Sequence, residues 1–239
     1  MNLKKIIWLL SSISIVEMAR RAYIFDLDDT LIKTKAKIYL FNPKNELVKA
    51  FTSSQLRDNK QKVNKKLEKG YILNFDEIGE DPELSYEYLR EGKPIKKYMN
   101  LFMDYYRKYP NDVYILTGRG NPPEIIHRVF QEKYDVNIPT DHIMTVAHKE
   151  TFEKCKKKIK QVYENHPIYH SFSLQDSPLA SIHKKKKVCL FRILMNDYDE
   201  IEFFDDDEDN IMEIEELRND LNIFPQFTQI KILTHHVIE

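Results

Sequence analysis

The run Tyr23-Ile24-Phe25-Asp26-Leu27-Asp28-Asp29-Thr30-Leu31 holds the densest set of residues able to do chemistry near the start of the chain. Side chains alternate along a strand with period two, so a strand through Phe25 sends Asp26 and Asp28 to the same side. Carboxylates at the mouth of a buried strand are expensive to desolvate unless a metal ion or a substrate uses them. A strand that simply ends in an acidic turn explains an isolated Asp-x-Asp, but explains the whole run poorly. Such carboxylates can act as nucleophile, as acid and base, or as hard ligands for a cation. Three further groups have comparable chemistry. Thr117, Gly118 and Arg119 close the hydrophobic run Tyr114-Ile115-Leu116; Asp205 and Asp206 follow Glu200-Ile201-Glu202-Phe203-Phe204; and Lys184-Lys185-Lys186-Lys187 precede an apolar stripe.

To bring these groups together the chain needs strands whose ends meet. Short apolar runs alternate with amphipathic helical patterns, which predicts a βαβ layout and a mainly parallel sheet. Strands are expected at Ala22 to Leu27, Asp112 to Thr117, Glu200 to Phe204, Gln229 to Leu233 and, more weakly patterned, His142 to Val146. In such sheets ligands bind at the carboxyl ends of the strands, where all three polar groups after the strands fall. Helices are expected from Pro94 through Tyr106, from Pro122 through Phe130, and along the stripe Ile211, Ile214, Leu217 and Leu221, which reads as core. Ala36 to Glu91 exceeds a simple crossover. Ile38 to Phe41, the turn Asn42 to Asn45, and Leu47 to Phe51 predict a hairpin there, followed by a lysine-rich and an acidic segment. Glu150 to Ser181 reads as a charged helix and a Pro/Ser-containing loop.

The 239 residues suit one α/β domain with an insertion, and 42% hydrophobic with 31% charged residues is a globular balance. A formal net charge of −1 supplies no global field toward nucleic acid or acidic lipid. Cys155 and Cys189 make no disulfide framework and suit a reducing compartment. Cys189 lies on an apolar helix side and reads as core. His127, His142, His148, His166, His170 and His183 show no metal-ligand spacing. Glycine is scarce at five residues, and no glycine-rich phosphate loop occurs.

The order of these motifs, from Arg21 to about Leu221, resembles the haloacid dehalogenase (HAD) superfamily. The resemblance implies a Rossmann-like, mainly parallel sheet flanked by helices, with a cap or flap inserted at about residues 36–91. It also implies phosphatase activity through an aspartyl-phosphate. Asp26 would be the nucleophile, and Asp28 the acid and base. Thr117, with Gly118 and Arg119, would bind the phosphoryl oxygens. The position of Asp29 is often glycine in such families. Asp205-Asp206-x-x-x-Asn210 is similar to an acidic motif that, with Asp26 and the Asp28 carbonyl, would hold Mg²⁺. The neutralising lysine is assigned to Lys187 or Lys186, with Lys149 the competitor. The hairpin and the acidic motif look similar to phage- and virus-type members and to polynucleotide 3′-phosphatase domains. A nucleotide or nucleic-acid 3′-phosphate end is therefore one expected substrate, and a small sugar phosphate the other. A binding module that keeps the fold without turnover is the rival from another class.

Residues 1–18 read as an extension that is dispensable or serves as a signal or anchor. The apolar part within 3–16 is about half the roughly 20 residues of a spanning helix, and no small-residue cleavage site follows. The expected location is cytoplasmic, with export or tethering through residues 3–16 as the alternative, and no stable membrane span.

Overall fold

The computed structural model describes residues 19–167 and 181–238. The expected extension 1–18, much of the Pro/Ser-containing loop and His170 lie outside them.

The chain opens on β1 (Arg21–Phe25) and turns into the short β2 (Ile32–Lys33). Next come β3 (Ile38–Phe41), β4 (Leu47–Phe51), helices α1 (Ser53–Asp58) and α2 (Lys60–Leu67), β5 (Ile72–Asn74) and α3 (Pro82–Glu91). The strand β6 (Lys93–Pro94) then pairs back on β2. The rest alternates: α4 (Lys96–Lys108), β7 (Val113–Thr117), α5 (Pro123–Tyr134), β8 (Ile143–Thr145), α6 (Lys149–Tyr163), α7 (Ser181–Leu194), β9 (Glu200–Asp205), α8 (Glu208–Asn222) and β10 (Lys231–His236).

Five of these strands form one parallel sheet in the order β10-β9-β1-β7-β8. From β1 the chain steps outward through β7 and β8, then returns to the other side of β1 with β9 and continues to β10. The reversal point, where crossovers leave in opposite directions, lies between β1 and β9. The architecture is α/β, a five-stranded parallel sheet flanked by helices, and is compatible with a Rossmann-like fold.

Period-two alternation divides the core between the two faces. Ala22, Ile24, Leu116, Ile201 and Phe203 pack with α6, α7 and α8. Phe25, Val113, Ile115 and Phe204 pack with α3, α4 and α5. Strands buried on both faces read as continuous apolar runs, which is why β1 and β7 stand out in the sequence. The C-terminal strand is displaced from the expected Gln229 to Leu233, because it is aligned by ladder bonds to β9 that carry Lys231 to His236 alongside Glu200 to Asp205.

Between β2 and β6 the hairpin forms as expected, β3 against β4, and gains β5 as a third antiparallel strand. Ile38, Leu40, Phe51, Leu56 and Val63 give this insertion a small core of its own. The lysine-rich segment folds as α1 and α2, started by a capping box between Thr52 and Gln55. Among the described residues no helix is long and apolar enough to cross a membrane.

Candidate functional site

The buried aspartates of the sheet, Asp26 and Asp205, lie at its carboxyl edge, at the reversal between β1 and β9. The Asp26 amide donates to the Phe204 carbonyl at 2.8 Å, which holds the two strand ends in register. Asp26 and Asp205 thereby leave adjacent strands side by side, both buried. Asp29 occupies the left-handed region at φ 58°, which glycine enters freely and aspartate tolerates.

Lys186 projects from α7 between the two carboxylates. Its Nζ donates to Asp26 Oδ1 and to Asp205 Oδ2, each at 2.7 Å. Burial alone would lower the Lys186 pKa, but Asp205 and Asp26 overcome it and raise it above the usual lysine value. Burial raises Asp26 well above the ordinary carboxylate range; Asp205, Asp206 and Asp28 push the same way and Lys186 opposes. Asp206 is pushed up to about 6, first by burial and then by Asp205, against the pull of Arg57.

Asp205 is the most heavily tied of the acids. Besides Lys186 it accepts from the Asp207 amide at 2.9 Å and from Asn210 Nδ2 at 2.9 and 3.0 Å. Asn210 Oδ1 then receives His183 Nδ1 at 2.6 Å, and His183 Nε2 faces Lys60 Nζ at 3.1 Å. An ammonium has only donors, so Nε2 accepts and Nδ1 carries the proton. His183 therefore orients Asn210. One carboxylate oxygen each from Asp26, Asp205 and Asp206 lies within 4.8 Å of the others.

Of Lys187 and Lys186, the two positions assigned to the neutralising lysine, it is Lys186 that reaches the carboxylates. One residue along a helix is a rotation of about 100°. Lys187 turns to α8 and pairs with Asp220 at 2.9 Å and Glu213 at 3.5 Å. Lys149, the competitor, is exposed at the start of α6.

Arg119 also differs from expectation. Its guanidinium grips Asp28 with two bonds of 2.7 Å, Nε to Oδ2 and Nη2 to Oδ1. Nη1 donates to Ser85 on α3 at 2.9 Å. The guanidinium fork thus serves Asp28 instead of facing open space, and the Asp28 carboxylate stands outside the three-oxygen cluster. Thr117 is buried at the end of β7, where its hydroxyl accepts from the Arg119 amide at 3.4 Å. Gly118 and Gly120 line the cavity beside it.

Comparison with protein-family models, curated proteins and solved structures returns no match to this chain. The site stands on its geometry.

Two cations from the insertion complete it, and sequence reasoning missed both. Arg57 on α1 reaches Asp206, and Lys60 at the start of α2 reaches Asp209 Oδ2 at 2.9 Å. Both sit among solvent-facing charges with no local motif to distinguish them. Asn210 was visible as part of the acidic motif, but its task of fixing Asp205 was not.

Proposed function

We propose that this chain is a magnesium-dependent phosphomonoesterase of the haloacid dehalogenase type, with Asp26 as the attacking group. The observation that carries this reading is the joint placement of Asp26, Lys186 and the Asp205-Asp206 pair at the reversal point of a parallel sheet. A structural ion pair alone would not place two buried carboxylates, Asp26 and Asp205, on one buried lysine with a third acid, Asp206, within 4.8 Å of both.

In this reading an Asp26 oxygen attacks phosphorus as the ester P–O bond breaks, leaving an aspartyl-phosphate. Asp28 passes a proton to the departing oxygen. It then takes one from the water that opens the acyl-phosphate, and this step releases inorganic phosphate and restores Asp26. Arg119 orients the Asp28 carboxylate by its two bonds. Lys186 holds the attacking oxygen in place and offers positive charge where negative charge collects. Asn210 and the Asp207 amide keep Asp205 from rotating away. Hard oxygen donors from Asp26, Asp205 and Asp206 fit Mg²⁺, which when bound would supply charge against the phosphate oxygens. The insertion over the carboxyl edge acts as a cap that limits water and selects substrates.

The test is hydrolysis of a generic aryl phosphate, with and without Mg²⁺, by wild type and Asp26→Asn. Metal-dependent turnover that vanishes in Asp26→Asn is expected. Equal turnover in the variant would remove Asp26 from the mechanism, and no turnover by folded, Mg²⁺-loaded wild type would sink the hydrolase reading.

A further inference from the structure

The cavity in front of the carboxylates is larger, and far less polar, than a phosphate group requires. It encloses about 700 Å³ and runs from Asp26, Asp28 and Lys186 to the inner wall of the insertion. That volume lies within the range of clefts that hold whole small molecules. Leu67, Tyr71, Leu73, Phe75 and Ile78 form much of the far wall, and Ile182 of α7 adds to it. The first five pack against the insertion's core yet stay only half-buried, so the described residues do not fill the space they face.

The charged groups of the lining are already engaged. Arg57 is taken by Asp206, Lys60 by Asp209 and His183, and Arg119 by Asp28. Lys185 lies over the Phe152 ring, and Glu80 accepts from the Phe75 amide. A sugar body would lose its hydration against this wall and find few free partners. An extended nucleic-acid strand needs a track of unpaired cations, and the described lining residues offer no such track, Lys185 alone lacking an acidic partner among them.

We propose that the substrate is a phosphomonoester whose ester group is bulky and apolar, either an aromatic ring system or a long alkyl chain. The inference rests on the phosphomonoesterase reading of the same site. The phosphate lies at the carboxylate end, and the apolar body against Leu73, Phe75 and Tyr71. Each methylene buried there strengthens binding about fourfold.

Two measurements on the full Mg²⁺-loaded chain test it. One compares kcat/KM for 1-naphthyl phosphate, octyl phosphate and glycerol 3-phosphate. The other compares binding of naphthylphosphonate, octylphosphonate and methylphosphonate by calorimetry, which needs no turnover. A preference of at least about tenfold for either apolar body over the small polar one is expected. Phe75→Ala and, separately, Leu73→Ala should each remove most of it, and the melting temperature of each shows that it folds. The naphthyl-to-octyl ratio tells an aromatic from an alkyl substrate. Equal handling of the small and the bulky compounds overturns the proposal, as does a preference that survives both substitutions. Selective phosphonate binding without turnover of any phosphate supports the apolar-body assignment and overturns the hydrolase reading instead. Turnover without preference does the reverse.

Discussion

Arg57, carried on α1 of the insertion, donates from Nη1 to Oδ2 of Asp206 at 2.7 Å, and so joins a surface helix to the carboxyl end of β9. Asp206 also meets the Thr30 hydroxyl at 3.4 Å. Arg57 thus holds a carboxylate that, in the proposed reading, a bound cation would share.

Removing Arg57 should therefore ease metal binding. A partly exposed ion pair contributes at most about 1 kcal/mol, which corresponds to about fivefold in affinity. Arg57→Gln is expected to lower the Mg²⁺ concentration that half-saturates activity by up to about that factor. A titration of rate against Mg²⁺ checks it, and an unchanged or raised midpoint would mean that Arg57 does not compete with the metal.

The two neighbouring lysines should separate cleanly by experiment. Lys186 is enclosed between Asp26 and Asp205, and its loss leaves two buried acids without their cation, a change of roughly 3–5 kcal/mol. Lys186→Met is expected to abolish turnover and lower the melting temperature in the absence of metal. Lys187→Ala should weaken only the α7–α8 contact, by about 1–3 kcal/mol because Lys187 is buried, with kcat within twofold of wild type. Steady-state rates on folded protein, with melting curves beside them, decide the matter. The opposite pattern would move the site lysine to Lys187.

Asp206 gives a pH prediction with a definite sign. Its folded pKa is raised to about 6 from 3.8, so the folded state binds this proton more tightly than the unfolded state. That contribution is complete below the unfolded value and disappears as pH rises through about 6. Without divalent metal, Asp206→Asn should gain melting temperature relative to wild type as pH goes from 5 to 7. Each kcal/mol corresponds to about 2–4 °C in a chain of this size. Saturating Mg²⁺ should reverse the order at pH 7, since the metal stabilises only the carboxylate form. Differential scanning fluorimetry across pH, with and without Mg²⁺, measures both; a difference that does not vary with pH would contradict the linkage.

Gly79 sets how closely the insertion approaches the sheet. It adopts φ 153°, and a Cβ there would lie 2.4 Å from the Gly120 nitrogen and 2.7 Å from that of Asn121. Gly79→Ala is expected to destabilise the protein by roughly 1–3 kcal/mol through backbone strain. It should also reduce kcat/KM, because the insertion must withdraw from the cavity it helps to line. A chemical denaturation curve and kcat/KM together check this, and wild-type values for both would show that the junction yields without consequence.

Local pattern alone determined where the acids sit. Asp26 follows an apolar run buried on both faces and Asp205 follows Ile201-Glu202-Phe203-Phe204, so β1 and β9 and the polarity at their ends were readable residue by residue. The parallel α/β class and the β3–β4 hairpin followed from the same short-range signals. Tertiary structure alone decided which groups reach those acids. Lys186 and Lys187 are equivalent in sequence, and only the docking of α7 on the sheet beside α8 points one at Asp26 and the other at Asp220. Arg119 has a neighbouring carboxylate instead of open space because Asp28, 91 residues earlier, leaves the adjacent strand. Arg57 lies 149 residues from Asp206 and carries no local signature of that partner. Periodicity specifies which face of an element is apolar, whereas the partner of a polar side chain depends on the phase and position of a second element, which packing sets.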